Sequence, residues 1–254
     1  MKKSTNVFIV LMLGLFVFPC VAAEKTGELL WSKRISLSTS VSGVIKKVYV
    51  NVGDQVKKGQ SLIKLDDRLF QSHVKQAKAV LIRAKETYKE AKRELDRAKE
   101  LFDRDAISVH EKQLVEIEYS NTYAHLQEAE AVLTQALLDL EYSTIKAPIA
   151  GIVVQKNIEI GETINNSITA NTMMVIAGNK EMVAQVFLTS QEMMDLSNNS
   201  TLDVKIGDVT ISGVVVLLGQ EPVLKDDVVK YKLNVRIKRL ENLRPGQMIQ
   251  VMLP

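Results

Sequence analysis

The sequence predicts a mixed α and β protein: a small β-sandwich split by a long antiparallel α-helical coiled-coil hairpin, followed by a small antiparallel β-barrel. Three observations predict it. A short β-type motif, SGVIKKVYVNVGDQV at 42–56, returns in degraded form as AGIVVQKNIEIGETI at 150–164. Between the copies, from Asp67 to Ser143, there is neither Gly nor Pro. Beyond residue 178 the chain breaks into short alternating apolar runs separated by Asn, Asp, Gly and Pro, the pattern of short antiparallel strands.

The two copies come first. Aligned, they place Gly43 on Gly151, Gly53 on Gly161, Asp54 on Glu162 and Val56 on Ile164. The glycines suit tight turns that need positive φ, and the alternation between them suits half-buried strands. Neither copy is large enough to bury a core alone, so the two are expected to pack together as one sandwich.

The intervening segment is dense in Ala, Lys, Glu, Arg, Leu and Gln, a helix-forming composition. In its first half Phe70, Val74, Ala77, Leu81, Ala84 and Tyr88 open a stripe, spaced alternately by four and three, that continues to Phe102. A second stripe runs from Val115 through Tyr119, Thr122, Leu126 and Ala129 to Leu140. Both are heptad seams in which large side chains alternate mostly with Ala, so two helices can approach closely. Between them, Ser108 stands three residues before Glu111, a capping box that starts a new helix. Two antiparallel arms of about 35 residues make a rod of roughly 50 Å.

The 254-residue chain carries 33 basic and 30 acidic residues. It opens with Lys2 and Lys3, an uncharged run from Val7 to Phe18, Pro19 and the small exit Val21-Ala22-Ala23, the order of a cleaved signal peptide over 1–23. Without that segment the charge is +1, which predicts no nucleic-acid or other polyanion partner. Cys20, the only cysteine, lies inside it; a lipid anchor there is disfavoured because Pro19, not a small residue, precedes it. A cleaved product has no thiol for disulfides, metals or catalysis.

Nothing in the sequence points to an enzyme. His73, His110 and His125 stand alone on the helices, without a partner at metal-ligand spacing. There is no phosphate loop and no nucleophile elbow. The pairs Met173-Met174 and Met193-Met194 read as packing residues rather than soft-metal ligands, so no metal and no cofactor are expected.

The stretch GVIKKVYVNVGDQVKKGQSLIKLD at 43–66 resembles the first half of a biotinyl/lipoyl domain, and TIKAPIAGIV with IGETI at 144–164 resembles the second. Gly43, Gly53, Asp54 and Gly59 mark the first half-motif, and Gly151, Gly161 and Glu162 the second. Split by a coiled-coil hairpin behind a signal peptide, this arrangement is similar to that of the HlyD-like periplasmic adaptors. These are the membrane fusion proteins of bacterial tripartite efflux and secretion systems.

The resemblance runs from about Ser36 to Pro254. It implies a lipoyl-like domain at 36–66 and 144–177, the hairpin at 67–143, and a barrel at 178–254 with an N-terminal strand near 33–40. The run LRPGQMIQVML looks like the barrel's closing strand, with Pro245-Gly246 as its turn. Adaptors that meet a TolC-type outer-membrane channel share an Arg, a Leu four residues on and a Ser seven beyond; here these are Arg97, Leu101 and Ser108.

The resemblance further implies a periplasmic chain peripherally associated with the inner membrane. There it would link an RND efflux transporter to the channel, as a homo-oligomer, in the assembly a hexamer. An ABC transporter is the alternative inner-membrane partner, since many RND adaptors continue beyond the strand that ends here at Pro254. A lipoyl or biotinyl carrier is the contrasting reading, but LIKLDDRL runs from the first half straight into a helix and leaves no lysine at an exposed tip.

Overall fold

The computed structural model describes residues 24–165, 171–225 and 227–254. The leader expected over 1–23, with Cys20, lies outside these residues. The described residues divide into two compact units, Trp31–Glu181 and a second formed by residues 24–30 with Met182–Pro254.

In the first unit the strands are β2 (Arg34–Leu37), β3 (Gly43–Val48), β4 (Gln55–Val56), β5 (Ser61–Leu65), β6 (Thr144–Lys146), β7 (Gly151–Lys156), β8 (Thr163–Ile164) and β9 (Met174–Gly178). They form two four-stranded sheets, ordered β2-β9-β7-β4 and β6-β5-β3-β8. Each sheet takes two strands from each sequence half, so the halves interleave rather than facing one another as separate layers.

The pairing is reciprocal. Gly43 in the first copy pairs with Ile164 of the second, and the equivalent Gly151 pairs with Val56 of the first. The Gly53 N–H donates to Val153 O at 2.8 Å and the Gly161 N–H to Ile45 O at 2.9 Å, the same bond with the copies exchanged. The core between the sheets contains Ile45, Leu62, Ile63, Leu65, Met173 and Ile176, each essentially inaccessible to solvent.

The glycines of the repeat divide into two kinds. Gly53, Gly59 and Gly161 have φ of 96°, 82° and 90°, left-handed positions where a side chain is strained. Gly43 and Gly151 lie within strands and are not turn residues, which corrects the expectation for that pair. A Cβ at Gly151 would stand 2.2 Å from Ala177 O, so close strand approach is its reason; at Gly43 the nearest atom is Leu65 Cδ1 at 3.4 Å. The acids of the repeat hold the turns. Asp54 Oδ2 accepts the Asn51 N–H at 2.8 Å, and Glu162 Oε2 accepts the equivalent Glu159 N–H at 3.0 Å.

The hairpin leaves this sandwich from two neighbouring strands. Helix α1 spans Arg68–Phe102 and α2 spans Val109–Tyr142. Strands β5 and β6, which lead into and out of it, pair with each other. Phe70 packs in the sandwich core and anchors the base, and the Thr39 hydroxyl donates to Tyr142 O at 2.9 Å. Every large or small residue of the two expected seams is buried or half-buried, while the outer faces are exposed. Midway, the Tyr88 and Tyr119 hydroxyls lie 3.0 Å apart, pairing the polar ends of two half-buried seam rings.

The second unit is a closed six-stranded barrel, ordered β1-β10-β13-β12-β11-β14. Its strands are β1 (Glu24–Trp31), β10 (Glu181–Leu188), β11 (Thr201–Ile206), β12 (Val209–Lys225), β13 (Val228–Lys238) and β14 (Met248–Met252). Alternation fills the interior, with Met182, Ala184, Val186 and Leu188 inward from β10 and Leu233, Val235 and Ile237 from β13. The N-terminal barrel strand is Glu24–Trp31, not the expected 33–40; Arg34–Leu37 belongs to the sandwich, paired with β9. Pro245 and Gly246 form the turn before β14, with Gly246 at φ 83° and its N–H bonded to Leu29 O at 2.7 Å. Strand β14 then pairs with both β1 and β11, closing the barrel.

Candidate functional site

The hairpin tip is built from local rules. Helix α1 ends with Ala106 N–H bonded to Leu101 O and Asp105 N–H bonded to Phe102 O, both at 2.9 Å. These are the two crossed bonds of a Schellman ending, and Asp105 takes its left-handed position at φ 56°. Glycine or asparagine is usual there. Leu101 thus contributes its carbonyl to the turn while its side chain stays half-buried.

Helix α2 starts immediately afterwards. Ser108 has extended backbone, and its hydroxyl oxygen accepts the Glu111 N–H at 3.2 Å. Glu111 Oε2 accepts both the Ser108 N–H and the Ser108 O–H at 2.8 Å. These two donors, backbone first, hold the Glu111 carboxyl below its ordinary value near 4.5. One turn into α2, Lys112 places its ammonium 4.7 Å from the centre of the Phe102 ring, tying the two helix ends together.

Arg97 stands one turn before Leu101 on α1, so the two share a helix face. Its side chain is 63% exposed and its guanidinium donates to both carboxylate oxygens of Glu94, at 2.8 and 3.1 Å. The tip therefore offers an exposed planar cation, a half-buried aliphatic side chain and, across the turn, a capping hydroxyl. Two of these are already engaged. Arg97 would exchange Glu94 for a partner's acceptor, and Ser108 has only its remaining lone pair to offer. The sequence reading missed Glu94 and Lys112, although Glu94 at three residues before Arg97 is a visible helical ion-pair spacing.

The carrier reading meets an observation at the other end of the hairpin. Lys64 Nζ is 2.9 Å from Asp67 Oδ2, and that hydrogen bond raises the lysine above its ordinary value and lowers the aspartate. A protonated, ion-paired lysine in strand β5 is not placed as a swinging amine. Among the described residues no helix is long and apolar enough to cross a membrane.

Comparison with known proteins agrees with this architecture. The Multidrug resistance protein MdtA of Erwinia amylovora is 29% identical over 151 residues, 59% of this chain and 37% of the relative. The Macrolide export protein MacA of Yersinia pestis is 27% identical over 185 residues, 67% of this chain and 50% of the relative. The matched stretches thus span a third to a half of those relatives' lengths.

A crystallised MacA–MexA chimera with the Pseudomonas aeruginosa MexA α-hairpin shares the fold at a TM-score of 0.70. It is 22% identical, and the match covers 91% of this chain and 80% of that one. The membrane fusion protein Spr0693 of Streptococcus pneumoniae R6 also reaches 0.70, at 18% identity, over 92% and 99%. Residues 33–177, which hold both sandwich halves and the whole hairpin, match the barrel-sandwich hybrid domain of RND membrane fusion proteins, and the chain belongs to that family.

Proposed function

We propose that the chain is a periplasmic adaptor that links an inner-membrane transporter of the RND type to a TolC-type outer-membrane channel, supporting export of drugs or other small molecules. It is a connector without a catalytic centre and acts as one copy of a ring, a hexamer in the assembly. The observation that carries this reading is the tip: Arg97, Leu101 and Ser108 lie at the end of a 35-residue helix and the start of a 34-residue one. Arg97 forks to acceptors on a channel helix, Leu101 fills an apolar notch, and Ser108 accepts a hydrogen bond beside it.

Efflux from cells carrying Arg97→Asp or Ser108→Arg tests it. Loss of transport with secretion and fold intact is the expected result. A single thiol at Leu101, in a mature chain that has no other, is expected to capture an outer-membrane channel when it is labelled with a thiol-directed photo-crosslinker and illuminated in cells. Undiminished efflux in both variants, with no channel captured, would overturn the proposal.

A further inference from the structure

Half of the protein's tyrosines gather at one level of the hairpin. The chain has six, and the ring of Tyr88 on α1 meets those of Tyr119 and Tyr123 on α2 at centre-to-centre distances of 5.4 and 5.6 Å. Tyr119 and Tyr123 are one helical turn apart, so both stand on the flank of α2 that faces Tyr88. Tyr88 and Tyr119 are half-buried in the seam, whereas Tyr123 is 48% exposed.

Tyr88 and Tyr119 converge at their hydroxyl ends. The two oxygens lie 3.0 Å apart, closer than the ring centres, with the ring planes tilted by 38°. The carbons ortho to each hydroxyl are thereby brought toward one another, and these carbons share the unpaired electron when a phenol loses a hydrogen atom. The hairpin offers that electron vacancy few easier resting places. From Asp67 to Ser143 there is no Cys, Met or Trp, side chains that would otherwise be oxidised first. The hydrogen bond to Tyr119 raises the Tyr88 phenol above its ordinary value near 10, so at neutral pH the ring is a neutral phenol and gives up a proton with its electron.

We propose that Tyr88 and Tyr119 are a site of oxidative cross-linking, at which a carbon–carbon bond between the two rings staples α1 to α2. The oxidant is hydrogen peroxide acting through a one-electron catalyst of the haem-peroxidase type. Each ring loses one electron and one proton and becomes a phenoxyl radical. The two radicals join ortho carbon to ortho carbon, and the hydrogen on each joined carbon passes through water to its own ring oxygen, restoring two phenols. One peroxide is reduced to two waters for each bond formed. Tyr123, the exposed ring, is where the catalyst draws electrons, and Tyr88 lies against it.

The bond closes a loop through the hairpin tip between positions 31 residues apart. It removes the freedom of the two arms to slip or separate at that level. It concerns the arms alone and forms whatever the tip meets.

The test treats the purified full chain, at dilute concentration, with peroxidase and hydrogen peroxide. The expected product is a single chain lighter by two hydrogen atoms, with dityrosine fluorescence and, after digestion, a fragment joining Tyr88 to Tyr119 by mass spectrometry. Tyr88→Phe and Tyr119→Phe keep the packing ring without the phenolic O–H, and each should lower the yield of this product at least about tenfold at unchanged helicity by circular dichroism. Tyr123→Phe should slow the reaction yet give the same joined fragment; an unslowed reaction overturns the entry role of Tyr123. The site itself is overturned if no linked product forms, if the bond joins separate copies or joins Tyr88 to Tyr123, or if Tyr119→Phe reacts as well as the parent.

Discussion

Ser108 has two roles in this reading, capping α2 and meeting a channel, and they can be separated. Removing the hydroxyl in Ser108→Ala takes away the acceptor of the Glu111 N–H and one of the two donors to Glu111 Oε2. Loss of a Ser N-cap costs about 1 kcal/mol, within 0.5–2, close to a fivefold shift in a local equilibrium. Because the chain has two compact units, a single global unfolding curve would blur this, and amide hydrogen exchange at Glu111 reads it directly.

Protection at Glu111 is expected to fall about fivefold in Ser108→Ala and to return in Ser108→Thr, which keeps donor and acceptor. The sign with pH follows from the carboxyl. Its folded value lies below the ordinary 4.5, so its contribution is present above that value and is lost as pH falls through the depressed one. The advantage of Ser108 over Ala should therefore shrink under acid conditions. Unchanged protection in Ser108→Ala at neutral pH would refute the capping argument, and all of Ser108's importance would then belong to docking.

Two further outcomes follow from the sandwich and the hairpin base. Gly151→Ala forces a methyl to 2.2 Å from a backbone carbonyl and is expected to cost roughly 1–3 kcal/mol as overpacking, whereas Gly43→Ala, with 3.4 Å to a flexible leucine, should melt nearly with the parent. Asp66 accepts from the Arg68 guanidinium on both carboxylate oxygens and from the Arg68 N–H on Oδ1, which brings its pKa down to about 2 from 3.8. Its contribution is present above 3.8 and lost as pH falls through about 2; carboxyl NMR of Arg68→Ala should show titration move back up, and an unmoved midpoint would disprove the pairing.

How far the sequence could be read depended on the range of the interactions involved. Seams and the capping box are set by residues three or four apart, so Phe70 to Phe102, Val115 to Leu140 and Ser108 with Glu111 were legible. The glycine and acid repeat was legible too, because each copy closes its own turn with its own acid. Which strand pairs with which was not, since four of the six sandwich pairings, β2 with β9, β3 with β8, β4 with β7 and β5 with β6, span the whole hairpin insertion. Strand β1 escaped because only Leu29 is buried within it, leaving no alternation to see. Asp105 escaped because an aspartate in the left-handed position carries no signal that Gly would have given.

The interleaved pairing explains why a rod can be inserted here at all. In the reciprocal ladder each half is held by the other, so the halves stay together however long the connection between them. The insertion point is also prepared: β5 and β6 are neighbours at the usual strand spacing of about 4.8 Å, and the helices that continue them need 8–10 Å between axes. Small residues at alternate seam positions keep that separation short, so the rod grows from the strand pair without splaying it, and Phe70 fixes its first turn in the sandwich core. The same alanines leave a cavity of about 370 Å³ beside the seam, where Ala84 and Ala129 lie between Val80, Thr87, Thr122 and Val132.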